Sequence, residues 1–151
     1  MLITSSGLEE TLHLAEQIGR KLKGGEIIEL ISDLGGGKTA FVRGLAAGMG
    51  STDTVRSPSF TISNKYSADK LKLYHFDFYR LQEPGIMKDE LAEILTDPNA
   101  VVALEWAGII DDVLPTERLQ ITFKVTDENQ RFISIKCPNT LDYLTLGISN
   151  T

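Results

Sequence analysis

The sequence predicts an α/β fold of three layers, with a mixed sheet that is parallel at its centre and antiparallel at its edge strands. Three observations carry that expectation. Two short apolar runs, Ile27-Ile28-Glu29-Leu30-Ile31 and Val101-Val102-Ala103-Leu104, have the continuous character of strands buried on both faces. The first runs into a glycine cluster and then a helical pattern, which is a strand–loop–helix unit. Two pairs of strand-like segments, Phe60 to Tyr66 with Leu71 to Tyr79 and Arg118 to Thr126 with Arg131 to Lys136, are joined by polar turns and read as antiparallel hairpins.

The elements follow in order. Ser6 and Glu9 have capping-box spacing, and Leu8, Leu12, Ala15, Ile18 and Leu22 then recur at helical spacing, so a first helix is expected to about Lys23, ending at Gly24-Gly25. Glu26 to Ile31 is the first buried strand. Lys38 to Met49 places Phe41, Val42, Leu45 and Met49 on one helical face, and Gly48 and Gly50 end it. Thr54 to Ser59 contains Ser57-Pro58 and reads as extended loop, because proline disfavours helix in the residue before it. After the first hairpin, Pro84 starts a helix carrying Met87, Leu91, Ile94 and Leu95 and ending near Asp97-Pro98. The second buried strand, a short helical or irregular stretch to Pro115 and the second hairpin complete the chain. With no linker composition and no repeat, residues 1–151 form a single domain.

At 151 residues, 42% hydrophobic and 24% charged, the chain is long enough to bury a core and belongs to the soluble globular class. Its formal net charge of −6 argues against a self-sufficient nucleic-acid binder, which needs a basic face. Arg20-Lys21-Lys23 reads as a solvated helix end complementing the helix dipole. The single cysteine, Cys137, has no internal disulfide partner and reads as a structural thiol. The first residues lack a basic and apolar signal pattern, and Ala100 to Ile110 is too short to span a bilayer and is interrupted by Glu105. A cytoplasmic protein is expected.

The chemistry concentrates in Ser32-Asp33-Leu34-Gly35-Gly36-Gly37-Lys38-Thr39. A phosphate-binding P-loop asks for Gly, four residues, then Gly-Lys-Ser/Thr. Gly37, Lys38 and Thr39 meet the second half, while Ser32 stands at the first glycine. Glycines at 35 to 37 let backbone N–H groups converge on phosphate oxygens without a Cβ in the way, and the helix starting at Lys38 adds its positive end. Lys38 is placed to reach the β- and γ-phosphates, and the Thr39 hydroxyl to ligate Mg²⁺. A Gly-rich turn that happens to precede Lys-Thr is the bland alternative, and the strand before and helix after weigh against it. The second half of such a site is a carboxylate at the tip of an apolar strand, and Glu105 fits; a solvent-facing strand end is its alternative. Asp77 lies in an alternating run that sets His75, Asp77 and Tyr79 on one face and Tyr74, Phe76 and Phe78 on the other. A buried aspartate there needs a partner or a metal, and His75 is a structural candidate for that partner, so a functional and a structural reading of Asp77 stand level. ATP is preferred over GTP: Asn64-Lys65-Tyr66-Ser67 lacks the acid of a guanine-reading sequence and falls too early in the chain.

These residues, with Ser57-Pro58-Ser59-Phe60-Thr61, Tyr74-His75-Phe76-Asp77-Phe78-Tyr79-Arg80-Leu81 and Leu104-Glu105-Trp106 in this order and spacing, resemble the TsaE (formerly YjeE) family of tRNA threonylcarbamoyladenosine biosynthesis. The resemblance runs from about Ser6 to about Ile121. It implies a P-loop NTPase-like fold and a weak, Mg²⁺-dependent ATPase. It further implies TsaB-like and TsaD-like partners that modify adenosine 37 of tRNA, with tRNA met only through them. Carried onto this chain, Leu34, Gly35, Gly36, Gly37, Lys38 and Thr39 bind the phosphates, Thr39 and Glu105 hold magnesium, and Asp77 and Trp106 serve activity or nucleotide contact. Lys38, Asp77 and Glu105 are the catalytic candidates. By analogy, the first helix near Thr11 and the hairpin near Arg131 are candidate walls for the base. The chain departs from the family pattern at Ser32, at Arg56 and Ser59, and at Ala107-Gly108. Two other classes compete: a small-molecule P-loop kinase, disfavoured because no arginine-bearing lid is evident between Thr39 and Glu105, and a binding module that uses nucleotide only as a conformational signal.

Overall fold

The structure, a computed structural model, describes residues 1–33 and 35–149. Seven strands form one sheet: β1 (Leu2–Ser5), β2 (Ile27–Ile31), β3 (Ser63–Ser67), β4 (Lys72–Asp77), β5 (Ala100–Glu105), β6 (Leu119–Val125) and β7 (Arg131–Lys136), in the spatial order β1-β7-β6-β2-β5-β4-β3. Strands β6, β2, β5 and β4 are mutually parallel; β3 pairs antiparallel with β4 on one side, and on the other β7 pairs antiparallel with β6 and β1 antiparallel with β7. Helices α1 (Leu8–Gly19) and α2 (Lys38–Met49) cover one face, and α3 (Gly85–Ile94) with a 3-10 helix (Ala107–Val113) covers the other. Each face has its own apolar core, one around Ile18, Phe41, Leu45 and Ile121 and one around Phe76, Leu91, Leu104 and Ile110. The three-layer α/β fold with parallel centre and antiparallel edges is therefore present. No described helix is long and apolar enough to cross a membrane.

The two central strands are buried for the reason their composition suggested. Every residue of β5 is buried, because helices lie on both faces and neither face is left for water. Helices α1 and α2 approach closely because small residues line the seam. A Cβ added at Gly48 would sit 2.2 Å from the Glu16 carbonyl oxygen, and one at Gly44 would sit 2.5 Å from Ala15 Cβ. Any larger residue there overpacks the interface.

Several boundaries differ from expectation. The first helix starts at Leu8 with Gly7 as its N-cap, and the Ser6–Glu9 capping box does not form. Instead the Ser6 backbone N–H donates to Glu10 Oε2 at 2.7 Å. Its buried face is also rotated. Leu8 is exposed, and Thr11, Leu14, Ala15 and Ile18 face inward, with the Thr11 hydroxyl satisfied by Ser5 Oγ at 2.8 Å. A polar residue with a buried partner thus takes a place that hydrophobicity alone assigns to leucine. The segment from Phe60 is not strand until Ser63. Pro58 and Ile62 close a turn through an Ile62 N–H to Pro58 carbonyl bond of 2.6 Å, leaving Phe60 exposed. Two elements have no counterpart in the sequence expectation: β1, an edge strand held by β7, and a 3-10 helix at Asn139–Leu144.

Candidate nucleotide site

Parallel registry brings the candidate residues together. Asp77 and Glu105 are the last residues of β4 and β5 and face each other in register, and Glu105 also registers with Leu30 of β2, whose strand feeds the glycine loop. The carboxyl ends of parallel strands are where α/β sheets form crevices for ligands. Here a cavity of about 260 Å³ is lined by Gly35, Gly36, Gly37, Lys38, Thr39, Ser59, Asp77 and Glu105, among others. A groove of about 790 Å³ between β1, α1 and residues near Ile148 is larger. The smaller cavity is the better candidate, because it converges a glycine loop, a helix N-terminus, a lysine and two buried carboxylates.

The loop is built as its glycines require. Gly35 and Gly37 have φ of 77° and 102°, values that other residues adopt only under strain. Gly37 caps α2, so the free N–H groups of the first helical turn open onto the cavity. Ser32 needs no left-handed backbone: among the described residues the non-glycine positions with positive φ are Ile62 and Trp106. The serine takes up room instead, since its Oγ would lie 1.9 Å from a Cβ on Gly36. It also supplies an acceptor. Lys38 Nζ donates to the Ser32 and Asp33 carbonyl oxygens at 3.2 and 3.0 Å and to Ser32 Oγ at 3.3 Å. Leu34 lies outside the described residues.

Lys38 is 6% exposed and Glu105 4%, and Lys38 Nζ stands 4.0 Å from Glu105 Oε2. The solvent-facing alternative for Glu105 therefore fails. Its other oxygen, Oε1, accepts from His75 Nε2 at 2.6 Å. His75 is thus the partner of Glu105 and not of Asp77. Asp77 Oδ2 accepts from the Ser59 hydroxyl at 3.0 Å, and Oδ1 from the Tyr79 N–H at 2.9 Å. That ties the Ser57-Pro58-Ser59 loop to the end of β4, a role for Ser59 that sequence order could not reveal because the two residues meet only across the hairpin. Tyr79 lies past the end of β4, turned outward against Trp106 with ring centroids 5.0 Å apart.

Trp106 holds a left-handed backbone, φ 55° and ψ 47°, directly after Glu105, and its ring lies 5.4 Å from Lys38 Nζ. A conformation disfavoured by roughly 1–2 kcal/mol persists here because Tyr79 and Lys38 hold the ring. Trp106 emission is expected to change on addition of Mg-ATP; an unchanged spectrum at saturating nucleotide would place Trp106 outside the site. Of the two candidate walls for the base, Thr11 is fully buried and engaged with Ser5, whereas Arg131 lies beside the loop: a Cβ on Gly37 would meet its Nη1 at 2.6 Å.

Among the described residues no cluster of three or more His, Cys, Asp or Glu side chains forms a metal cage. Magnesium does not require one, because it takes one or two carboxylates, a hydroxyl, water and substrate phosphates. The oxygen donors of Thr39, Asp77 and Glu105 on one cavity have that chemistry.

Comparison with known proteins agrees with the sequence resemblance. The family model described as threonylcarbamoyl adenosine biosynthesis protein TsaE matches residues 5–133, further than Ile121 and into β7. The tRNA threonylcarbamoyladenosine biosynthesis protein TsaE of Bacillus subtilis is 40% identical over 130 residues, covering 83% of this chain and 78% of the relative. That of Rickettsia prowazekii is 32% identical over 143 residues, covering 93% and 99%. A crystal structure of Bacillus subtilis YdiB superposes with a TM-score of 0.79 at 35% identity, covering 95% of this chain and 90% of that one. A family match over most of the length, with the same fold in a solved relative, shows that this chain belongs to the TsaE family.

Proposed function

We propose that this protein binds ATP with Mg²⁺ at the Gly35–Thr39 loop, hydrolyses it slowly, and thereby supports threonylcarbamoyl modification of adenosine 37 in tRNA together with TsaB-like and TsaD-like partners. The observation that carries the reading is the convergence of the loop, Lys38, Thr39, Asp77 and Glu105 on one small cavity. The N–H groups of the loop and the start of α2 cradle phosphate oxygens. Lys38, already inside the cavity, exchanges its bonds to the Ser32 and Asp33 carbonyls for the β- and γ-phosphates. Thr39 and Glu105 are the residues that hold magnesium, which when bound offsets phosphate charge. Asp77, with Ser59 as its hydroxyl partner, orients the attacking water on the same side. Arg131 adds a cation beside Gly37 from the β7 side.

Slow turnover by the lone chain is expected because no arginine lines the cavity among the described residues. Arg56 and Arg80 are exposed, and Arg80 packs over the Phe60 ring 4.7 Å away rather than into the cavity. An arginine that stabilises transferring phosphate is worth orders of magnitude in rate, and a partner surface closing the site is the natural way to improve it. The family's place in tRNA threonylcarbamoyladenosine biosynthesis supports the pathway and the partners.

The test is multiple-turnover phosphate release from ATP by the lone chain and with the TsaB–TsaD pair, alongside the yield of modified tRNA. The pair is expected to raise the rate or the yield. No change in either, with phosphate transferred to a small metabolite instead, would establish the kinase reading. Binding without turnover under all conditions would establish the nucleotide-signalled module.

A further inference from the structure

His75 is the most deeply buried ionisable side chain of the strand layer, fully excluded from solvent on β4, and no role is assigned to it by the nucleotide reading above. One residue, Phe76, separates it from Asp77, so both side chains project from the same face of the strand. Its Nε2 donates to Glu105 Oε1 at 2.6 Å, whereas its Nδ1 is buried with no hydrogen-bond partner among the described residues. A buried imidazole with one nitrogen unsatisfied is an unfavourable choice for packing alone, where an apolar residue of similar size leaves no orphan. What the ring does make is one short bond to the back of a carboxylate whose other oxygen faces Lys38 across 4.0 Å.

We propose that His75 is a positioning residue for Glu105, fixing the rotamer in which Oε2 is offered to the cavity. The inference rests on the proposed role of Glu105 toward magnesium and deepens it. A glutamate has three side-chain torsions to fix, and a strand-end position leaves its carboxylate several ways to turn. With Oε1 anchored by an imidazole that is itself immobile in the core, Oε2 is left toward Lys38, Thr39 and the loop. Carboxylates that take a cation are commonly held in this way by a hydrogen bond from behind, and loss of the supporting group weakens metal affinity by about 10- to 100-fold. The geometry also explains why a histidine is found there. The distance from the β4 backbone to Glu105 on β5 is spanned by the imidazole as far as Nε2, and strand register sets His75 opposite Ala103, whose small side chain leaves the path open.

The test compares two uncharged amides. His75→Gln places an amide nitrogen near the position of Nε2 and keeps the donor to Glu105, while His75→Asn reaches only as far as Nδ1 and loses it. Binding of ATP is measured by calorimetry in EDTA and across a magnesium titration, and melting of the nucleotide-free chains reports packing. In His75→Asn the magnesium concentration at half-effect is expected to rise at least about tenfold, with ATP affinity in EDTA within about twofold of wild type; His75→Gln is expected to restore most of the loss. Equal magnesium dependence in Asn, Gln and wild-type chains would overturn the proposal. Should His75→Asn not fold, His75→Leu fills the apolar space without a donor and is held to the same outcome. A wild-type chain whose ATP affinity does not respond to magnesium would instead overturn the magnesium reading of Glu105, a failure visible before either variant is measured.

Discussion

Lys38→Ala is expected to weaken ATP binding at least about a hundredfold, roughly 2.7 kcal/mol. The magnitude follows from where the ammonium sits. Lys38 is almost wholly buried, at the first turn of α2, with Nζ bonded to two backbone carbonyls of the loop that precedes it. The cost of desolvating that charge is met in the folded chain by those carbonyls and by Glu105 at 4.0 Å, so nucleotide meets a cation already stripped of water. Removing it leaves the triphosphate facing the buried carboxylates of Asp77 and Glu105 with less positive charge to balance them. Like charges confined in a small cavity repel far more strongly than in water. Calorimetric titration of ATP into the variant, with melting to confirm the fold, checks the result. Wild-type affinity in a folded Lys38→Ala chain would sink the phosphate-loop reading.

The central half of this molecule is legible in its sequence because burial and backbone chemistry there leave few options. A continuous apolar run flanked by helices has to be an inner strand, and Gly35-Gly36-Gly37-Lys38-Thr39 between a strand and a helix has few uses besides cradling an anion. The periphery is less legible because its order comes from pairing across the chain. Leu2 to Ser5 carries no strand signal of its own and becomes strand only because β7 offers an open edge. The helix face including Thr11 is set by the hydroxyl of Ser5 and by the glycines of α2, neither of which a hydrophobic period records. Alternation along β4 correctly places His75 and Asp77 on one face, yet the partner of His75 lies on the neighbouring strand, and only registry reveals it. Ser59 is the same case: Pro58 marks a loop, but a turn that ends at Ile62 is what delivers the hydroxyl to Asp77.

Turnover is expected to separate from binding at Glu105. A carboxylate that holds magnesium stabilises the charge developing in phosphoryl transfer more than it stabilises the bound ground state, so its loss falls on the rate. Glu105→Ala is expected to keep measurable ATP binding through Gly35 to Thr39 and to lose at least about tenfold in hydrolysis, about 1.4 kcal/mol of barrier. The structure adds a complication to that variant, because deleting the carboxylate also strands His75 Nε2 in the core with no acceptor. An orphaned buried donor costs about 1–3 kcal/mol of stability, so part of any loss of activity would reflect unfolded chain. Glu105→Gln removes the complication: its amide oxygen can still accept from His75, the volume is kept, and only the negative charge toward Lys38 and Thr39 is lost. The same tenfold or greater loss of phosphate release is therefore expected in Glu105→Gln, with melting close to wild type. A Gln variant that hydrolyses ATP at the wild-type rate while the Ala variant is inactive would show that Glu105 serves the fold through His75 and not the reaction.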